Sequence, residues 1–515
     1  MTSRKLGVST MSVDKDFVLT ALLQHNFFPL QSPDLEELPP IFSSKNFSVE
    51  AAKRLAASSG HRAKGYDGYD AVEYRLTRFN GVSRCCSIPH PTAYAELALR
   101  IYEDWDKLSI IADNERSVIR PRHHSDGRII IMDDYGTAST KMSRNLADSF
   151  GRRFFVRTDI SNCFPSVYSH AIPWALVGMP TAKKNRSKKE WFNQLDEKTR
   201  QLKRNETQGV AIGPATSNIV FEVILSQVDK ALEKEFEARD KGLVFRRFID
   251  DYTAYCETED QAQRFIRSLA EKLAFYKLAL NIAKTVVIPL PQSLDSDWLT
   301  ELSLALPKGK SLPVRDAVAY LDLAVRLASQ RPGGSVLKYA LKSLCGQKLT
   351  PAAVQAVLEY ALTLSFYQPV LLPVLEPLFD ATTHPGEFAY SEELRRIVRD
   401  NASARRSDGV AWGLYYLMKY SVAIKNKTVE ALLAEPDCIA LLLLYVQGDK
   451  SLKTRVVEYA ESLDHSDLYG LDQYWLLLYE LFRDGAISNP YAGEGAFEIL
   501  KDEGVSFVLQ KGAGS

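Results

Sequence analysis

Two aspartates stand side by side in Phe248-Ile249-Asp250-Asp251-Tyr252, between two short apolar, aromatic runs at residues 244–249 and 252–256. Runs of that length and composition read as strands, so the pair falls at the turn of a β-hairpin. Paired carboxylates on a tight turn suit two divalent ions, the apparatus of phosphoryl transfer. They also repel one another, and a bound cation is the obvious compensation. The dipeptide alone carries little weight. The chain has 33 aspartates in 515 residues, which makes roughly two adjacent pairs by chance. A second pair, Asp133-Asp134, does occur, also behind a strand-like run.

Order along the chain separates the two pairs. Upstream of Asp250 lies Val156-Arg157-Thr158-Asp159-Ile160-Ser161-Asn162-Cys163-Phe164-Pro165-Ser166-Val167, a strand that ends in Asp, then a turn, an aromatic and a helix start. Between them lies Gln208-Gly209-Val210-Ala211-Ile212-Gly213-Pro214-Ala215-Thr216-Ser217. Its glycines allow close approach of backbone to a ligand, and a long apolar helix is expected from Ser217. Downstream come Leu280-Asn281 and Lys284-Thr285. No such ordered set surrounds Asp133.

The elements that must hold these residues change in texture near residue 300. Before it, short β-rich runs alternate with helical ones. After it, nearly every segment reads as helix. Thr350-Pro351 is an N-cap and N1 pair, followed by apolar residues at helical spacing. Further helices are expected near 387–400, 408–421, 427–446, 451–463 and 471–484. The stretch 474–482 (YWLLLYELF) is apolar nearly all round and should be buried. Stacked helical pairs are the natural architecture, although no residue signature repeats at a fixed period.

Composition excludes several classes. A chain 46% hydrophobic and 25% charged is neither collagen-like nor wholly disordered. Equal numbers of basic and acidic residues, 64 each, exclude a uniformly basic coat. Residues 151–210 nevertheless hold 12 basic against 5 acidic residues, most of the excess lying in 183–204. That run reads as a solvated face or as a phosphate contact. Six cysteines without a CxxC pair give neither a zinc site nor a disulfide framework and fit a reducing cytoplasm. The apolar stretch 17–23 is too short for a signal peptide, and 438–446 is too short to span a bilayer.

The ordered motifs resemble the palm of a reverse transcriptase over about residues 85–290. DISNCFPSV is similar to motif A, QGVAIGPATS to motif B, FIDD to the [FY]xDD of motif C and LNIAKT to motif D. Two departures are Phe248, where many members have Tyr, and Cys163-Phe164, where Phe-Phe is frequent. The resemblance implies that Asp159, Asp250 and Asp251 hold two Mg²⁺ ions, with Mn²⁺ as a substitute and Ile160 adding a backbone contact. One ion would activate a 3′-hydroxyl or a protein hydroxyl, and the other would stabilise the triphosphate and the leaving pyrophosphate. Phe164 matches the aromatic gate that excludes a ribose 2′-hydroxyl; a core aromatic is the alternative. Gln208 and Gly209 would cradle the incoming nucleotide. Lys284 would protonate pyrophosphate; a surface lysine is the alternative. Residues 116–132 read as strand, turn at Ser125-Asp126-Gly127, strand. They resemble the fingers hairpin that grips triphosphate, with Arg120, Arg122 and Arg128 as candidates. Ser87-Ile88-Pro89-His90-Pro91 is similar to a proline-bearing stretch of many bacterial members, in which His90 caps or packs rather than catalyses.

No protease, RNase H or integrase signature is visible, and an acidic helical tail argues against a group II intron protein. The resemblance is best to the bacterial abortive-infection and unknown-group enzymes, the defence-associated reverse transcriptases. The implied fold is α+β: a right-hand polymerase's fingers and palm followed by an all-α, HEAT-like region. The implied domains are an N-terminal helical and fingers extension at 1–84, fingers and palm at 85–300, and the helical region at 301–515. The implied function is an RNA-directed DNA polymerase of antiphage defence in the bacterial cytoplasm, away from membranes. It would copy an associated noncoding RNA into DNA from deoxynucleoside triphosphates, as a homo-oligomer. One alternative is protein-primed, template-independent synthesis on the same palm. Another is a catalytically inactive RNA-binding scaffold.

Overall fold

The computed structural model describes residues 13–30, 36–58, 62–78, 82–108, 110–130, 138–239, 243–291, 297–331, 335–383, 388–491 and 493–509. Two helices, Lys15–Gln24 and Val49–Ser58, lead into an antiparallel hairpin of β1 (Ala71–Leu76) and β2 (Arg84–Pro89). The helix Pro91–Asp104 follows directly. Pro91 occupies its first turn, where a missing N–H costs nothing, and His90 caps it, its Nδ1 accepting from the Thr92 N–H at 3.4 Å. A second, short hairpin pairs β3 (Arg122–His123) with β4 (Ile129–Ile130).

The central sheet holds β5 (Phe154–Asp159), β6 (Val244–Phe248), β7 (Asp251–Cys256) and β8 (Val286–Pro289) in the order β6-β7-β5-β8. All neighbours are antiparallel. Two residues, Ile249 and Asp250, join β6 to β7, so the expected hairpin is present with the aspartates at its turn. Helix Ala215–Arg239 starts two residues before the expected Ser217, directly behind Gly213-Pro214. It is buried along much of its length because it is apolar on most sides. Helix Glu259–Phe275 opens with a capping box in which Thr258 and Gln261 satisfy each other's backbone N–H groups.

From Asp297 onward the described elements are helical. Thr350 caps the helix Pro351–Ser365 as expected, its hydroxyl accepting from the Ala353 N–H. The single helix expected over 427–446 is two helices, Asn426–Ala434 and Cys438–Gln447. Pro436 lacks a donor and Asp437 caps the next helix through the Ala440 N–H at 3.0 Å, so the chain restarts there. Helix Ser407–Lys419 lies against Ser391–Ser403 at very short range. A Cβ on Gly409 would meet the Asn401 side chain at 2.3 Å, and one on Gly413 would meet Val398 at 2.6 Å.

The helical half closes back over the N-terminal segment. Phe27 stacks on Phe507 at 5.3 Å, and Trp475 meets both rings edge-on. The Trp475 indole donates to the Ile88 carbonyl at 3.1 Å. Phe42 and Val508 form a β-bridge, and the Asp408 carboxylate accepts from both the Thr77 N–H and hydroxyl. Residues at the two ends of the chain therefore share one core. Among the described residues, no helix is long and apolar enough to cross a membrane.

Candidate active site

The register of the central sheet assembles the carboxylates. Asp159, the last residue of β5, lies directly opposite Asp251, the first residue of β7. Asp250 immediately precedes Asp251 in the turn, and its carbonyl accepts from the Ile160 N–H at 3.1 Å. Asp159 and the Asp250-Asp251 pair, far apart in sequence, thus occupy one end of the sheet. Ile249, at the start of the turn, has φ of +57°, a sparsely allowed region for a β-branched residue.

This site is electrostatically loaded. Burial raises the pKa of Asp250. Asp251 is exposed on one side, yet its carboxyl is pushed up to about 6, first by the protein packed around it and then by the charges of Asp250 and Asp159. Lys284 reaches in from the turn Ile282–Lys284 and ion-pairs with Asp159, which raises the lysine's pKa. Three carboxylates with one ammonium leave an excess of negative charge on hard oxygen donors, the chemistry Mg²⁺ and Mn²⁺ prefer. Among the described residues, no three His, Cys, Asp or Glu side chains form a ready-made metal cage. The cation that faces Asp159 is the protein's own lysine.

The other expected residues divide into two groups. Gly209 has φ of +81°, and its N–H donates to the Val167 carbonyl at 2.7 Å. A Cβ there would sit 3.2 Å from the Pro165 carbonyl, which accounts for the glycine. Gln208 is exposed beside it, its side-chain amide donating to the Pro165 carbonyl at 3.1 Å. Phe164 adjoins this segment, its carbonyl accepting from the Val210 N–H. Its ring is only 6% exposed and packs against Phe221 at 5.1 Å. Ile160 is buried at the foot of the site.

The arginines of the second hairpin differ from one another. Arg122 is exposed on β3, and Arg120 is partly buried just before it, its pKa lowered by burial. Arg128 is 2% exposed, and its Nε donates to Asp126 of the same hairpin at 2.7 Å. It braces the turn rather than facing solvent. The rival pair Asp133-Asp134 lies outside the described residues. In the basic run, Lys188, Lys198, Arg200 and Arg204 pair with Glu197, Glu96, Asp196 and Asp70, so much of that charge is neutralised locally.

Residues 108–320 match the family described as reverse transcriptase (RNA-dependent DNA polymerase). The chain carries a reverse transcriptase domain. That domain is of a nucleotidyltransferase, an RNA-directed DNA polymerase. It spans β3 to β8, and all three aspartates lie within it. No curated protein matches the sequence. Solved structures similar to the chain include apo telomerase from Candida tropicalis truncated from the C-terminal domain, at 13% identity and a TM-score of 0.31, over 45% of this chain and 52% of that one. Apo telomerase from Candida tropicalis matches at 12% and 0.33, over 74% and 70%. Telomerase from Candida albicans in complex with a fragment of telomeric RNA matches at 14% and 0.28, over 77% and 65%. The chain thus spans about half the length of the first of these, and likeness at such scores carries no functional argument.

Sequence reasoning passed over one set of residues behind the carboxylate site. Arg247 on β6 is fully buried, bound to Glu222 and Asp229 of helix Ala215–Arg239. A signal was present: Arg247 shares the inward face of its strand with Phe245, and two acids stand seven apart on an apolar helix. Charges at core positions flag buried partners.

Proposed function

We propose that the chain is an RNA-directed DNA polymerase of bacterial antiphage defence. It adds deoxynucleotides to a 3′-hydroxyl or a protein hydroxyl and copies an associated noncoding RNA in the cytoplasm, as a homo-oligomer. The observation that carries the polymerase reading is the in-register pair of Asp159 and Asp251 with Asp250 beside it, inside a reverse transcriptase domain. The defence role, the RNA and the oligomer rest on the resemblance of the motifs and of the helical half. On this reading the helical half is HEAT-like, and the division at residues 84 and 300 marks functional parts that share a core.

Within the site, Asp159, Asp250 and Asp251 are assigned to divalent cations, with the Ile160 backbone beside them. Divalent ions held there would supply activation of the attacking hydroxyl and neutralisation of the leaving pyrophosphate. Asp159 and Asp251 fix the donor spacing because they sit on paired strands rather than on loops. Gly209 lets the backbone approach the nucleotide, and Gln208 flanks it. Phe164 backs that pocket and excludes a 2′-hydroxyl. Lys284, paired with Asp159 at the edge of the site, is assigned to hold a proton at Nζ for the leaving group. Arg120 and Arg122 are assigned to the triphosphate, and Arg128 stiffens the hairpin that carries Arg122.

The test combines a substitution with an extraction. Asp250→Asn with Asp251→Asn should abolish DNA synthesis while leaving the melting temperature unchanged or higher, because both groups are destabilised in their charged forms. Full activity in that variant would overturn the assignment. Nucleic acid extracted from the purified protein, with and without proteinase digestion, reads the template. A discrete RNA with complementary DNA supports templated copying. DNA that stays with protein until digestion and matches no RNA supports protein-primed, untemplated synthesis instead. RNA bound without DNA, and no synthesis, supports the scaffold.

A further inference from the structure

Arg247 forms bonds in three directions from a fully buried position. Its Nη1 and Nη2 donate to the two oxygens of Glu222 at 2.7 and 2.9 Å, and its Nε donates to Asp229 at 2.8 Å. Both acids belong to helix Ala215–Arg239, which begins directly behind the Gly209–Gly213 segment. Nη1 also donates to the Ile249 carbonyl at 2.9 Å. That carbonyl belongs to the residue held at positive φ immediately before Asp250. On the main chain, the Arg247 N–H donates to the Arg116 carbonyl and the Val118 N–H donates to the Arg247 carbonyl. The segment of residues 116–118, which leads to Arg120 and Arg122, is thereby bridged to β6 at Ser117.

The acids have further partners of their own. The Tyr252 hydroxyl and the Asn114 amide donate to Asp229 at 2.8 and 2.7 Å, and the Ser117 hydroxyl reaches Glu222 at 3.4 Å. A guanidinium with a fixed fork suits this place, since only a planar, multiply donating cation can bind one carboxylate through two nitrogens and still reach a carbonyl. Charge neutralisation of Glu222 and Asp229 would not require the bond to Ile249. That bond restrains the turn that carries the metal-facing aspartates.

We infer that Arg247 is a positioning residue for the metal site: it clamps the Ile249 carbonyl and so sets the Asp250-Asp251 turn against Asp159. The inference rests on the polymerase reading of that site. It ties the geometry of the carboxylates to the helix behind the nucleotide-binding segment and to the segment that leads into the hairpin arginines. Outer partners of metal ligands typically change metal affinity by about 10- to 100-fold when removed. A lysine at 247 keeps the charge and loses the fork.

The experiment compares Arg247→Lys with Arg246→Lys in the full chain. Arg246 is the neighbouring residue on the same strand, and it makes a two-nitrogen pair with Asp148, away from the turn. Mn²⁺ binding followed by electron paramagnetic resonance is the first readout, with melting temperature measured alongside. Arg247→Lys should weaken Mn²⁺ binding about tenfold or more and raise the Mg²⁺ needed for half-maximal synthesis equally, with the nucleotide KM within about twofold. Arg246→Lys should leave Mn²⁺ affinity near wild type, whatever it does to melting. Equal Mn²⁺ affinity in the two variants would overturn the inference. If the lysine variant does not fold, Arg247→Met in a Glu222→Leu, Asp229→Asn background removes all three buried charges at similar volume and leaves the 229 side chain its Tyr252 and Asn114 partners. Wild-type Mn²⁺ affinity there would overturn the inference as well. A wild-type protein that neither binds Mn²⁺ nor synthesises DNA would defeat the polymerase reading itself. A wild type that does both, with a lysine variant that matches it, defeats only the clamp.

Discussion

Lys284 is ion-paired with Asp159 across the mouth of the carboxylate site, from a side chain that is 65% exposed. An exposed lysine can leave, so this ammonium and a divalent cation compete for the same oxygen. The pairing also explains why Lys284 is held protonated, since the hydrogen bond to Asp159 raises its pKa.

Replacing Lys284 by Met should separate its two roles. Loss of the competing cation should lower the Mg²⁺ concentration for half-maximal synthesis several-fold. Loss of a general acid should lower the maximal rate by roughly 10²- to 10⁴-fold. Steady-state rates over a Mg²⁺ titration read both. A rate equal to wild type would remove the proton-donor role, and an unchanged Mg²⁺ requirement would remove the competition.

Phe164 is asked to be both core and gate. Its ring is buried against Phe221, so Phe164→Ala should cost about 3–5 kcal/mol of stability. Phe164→Leu should cost less and still open space beside the nucleotide. Single-nucleotide extension with ribo- and deoxynucleotides is the measurement. Rising ribonucleotide use in the leucine variant supports a gate, whereas unchanged sugar selectivity leaves Phe164 as a core residue alone.

His90 makes folding sensitive to acid. Its ring is buried, stacks on Tyr69 at 4.3 Å and lies near Arg62. Burial, and then Arg62, hold its pKa well below 6.5. The unfolded chain therefore binds a proton that the folded one does not, and stability falls as pH drops below about 6.5, by up to about 1.4 kcal/mol per pH unit. Buried Asp472 and Glu480, both raised to about 7, act in the opposite sense over their own range. The difference between wild type and His90→Asn isolates the histidine, because Asn retains the helix cap. From pH 7 to pH 5 the melting temperature of the variant should fall less, or rise more, than that of wild type; an equal change in the two would show that His90 does not titrate.

The two ends of the chain should fail together. Trp475→Ala removes a buried indole that touches Phe27 and Phe507 and bonds Ile88, at a cost of about 3–5 kcal/mol. A chain cut after residue 300 would expose Phe27, Phe28 and Phe47 to water. It should be insoluble or rapidly proteolysed. A soluble, cooperatively melting fragment 1–300 would show that the helical half is dispensable for folding.

Much of the site was legible because it is written in local order. A strand that ends in Asp159, a glycine-bearing segment before a long helix, and Asp250-Asp251 at a two-residue turn each follow from spacing and turn chemistry alone. The cap at Thr350 and the choice of Asp250 over Asp133 came from the same kind of signal. The break at Pro436-Asp437 was equally local, and the apolar periodicity on either side concealed it.

The sequence by itself determined the ordered set of candidate carboxylates, where the strands around them and several helices of the second half lie, and that this half is helical. Those properties depend on neighbours a few positions away. Only the tertiary structure decided that Asp159 faces Asp251 in register, that Arg128 is tied to Asp126 while Arg122 is exposed, and that Arg247 sits beneath the turn. It also decided that Trp475 and Phe507 close over Phe27. Burial and pairing are set by segments hundreds of residues apart, and no short-range pattern encodes which distant face an apolar or charged residue will meet.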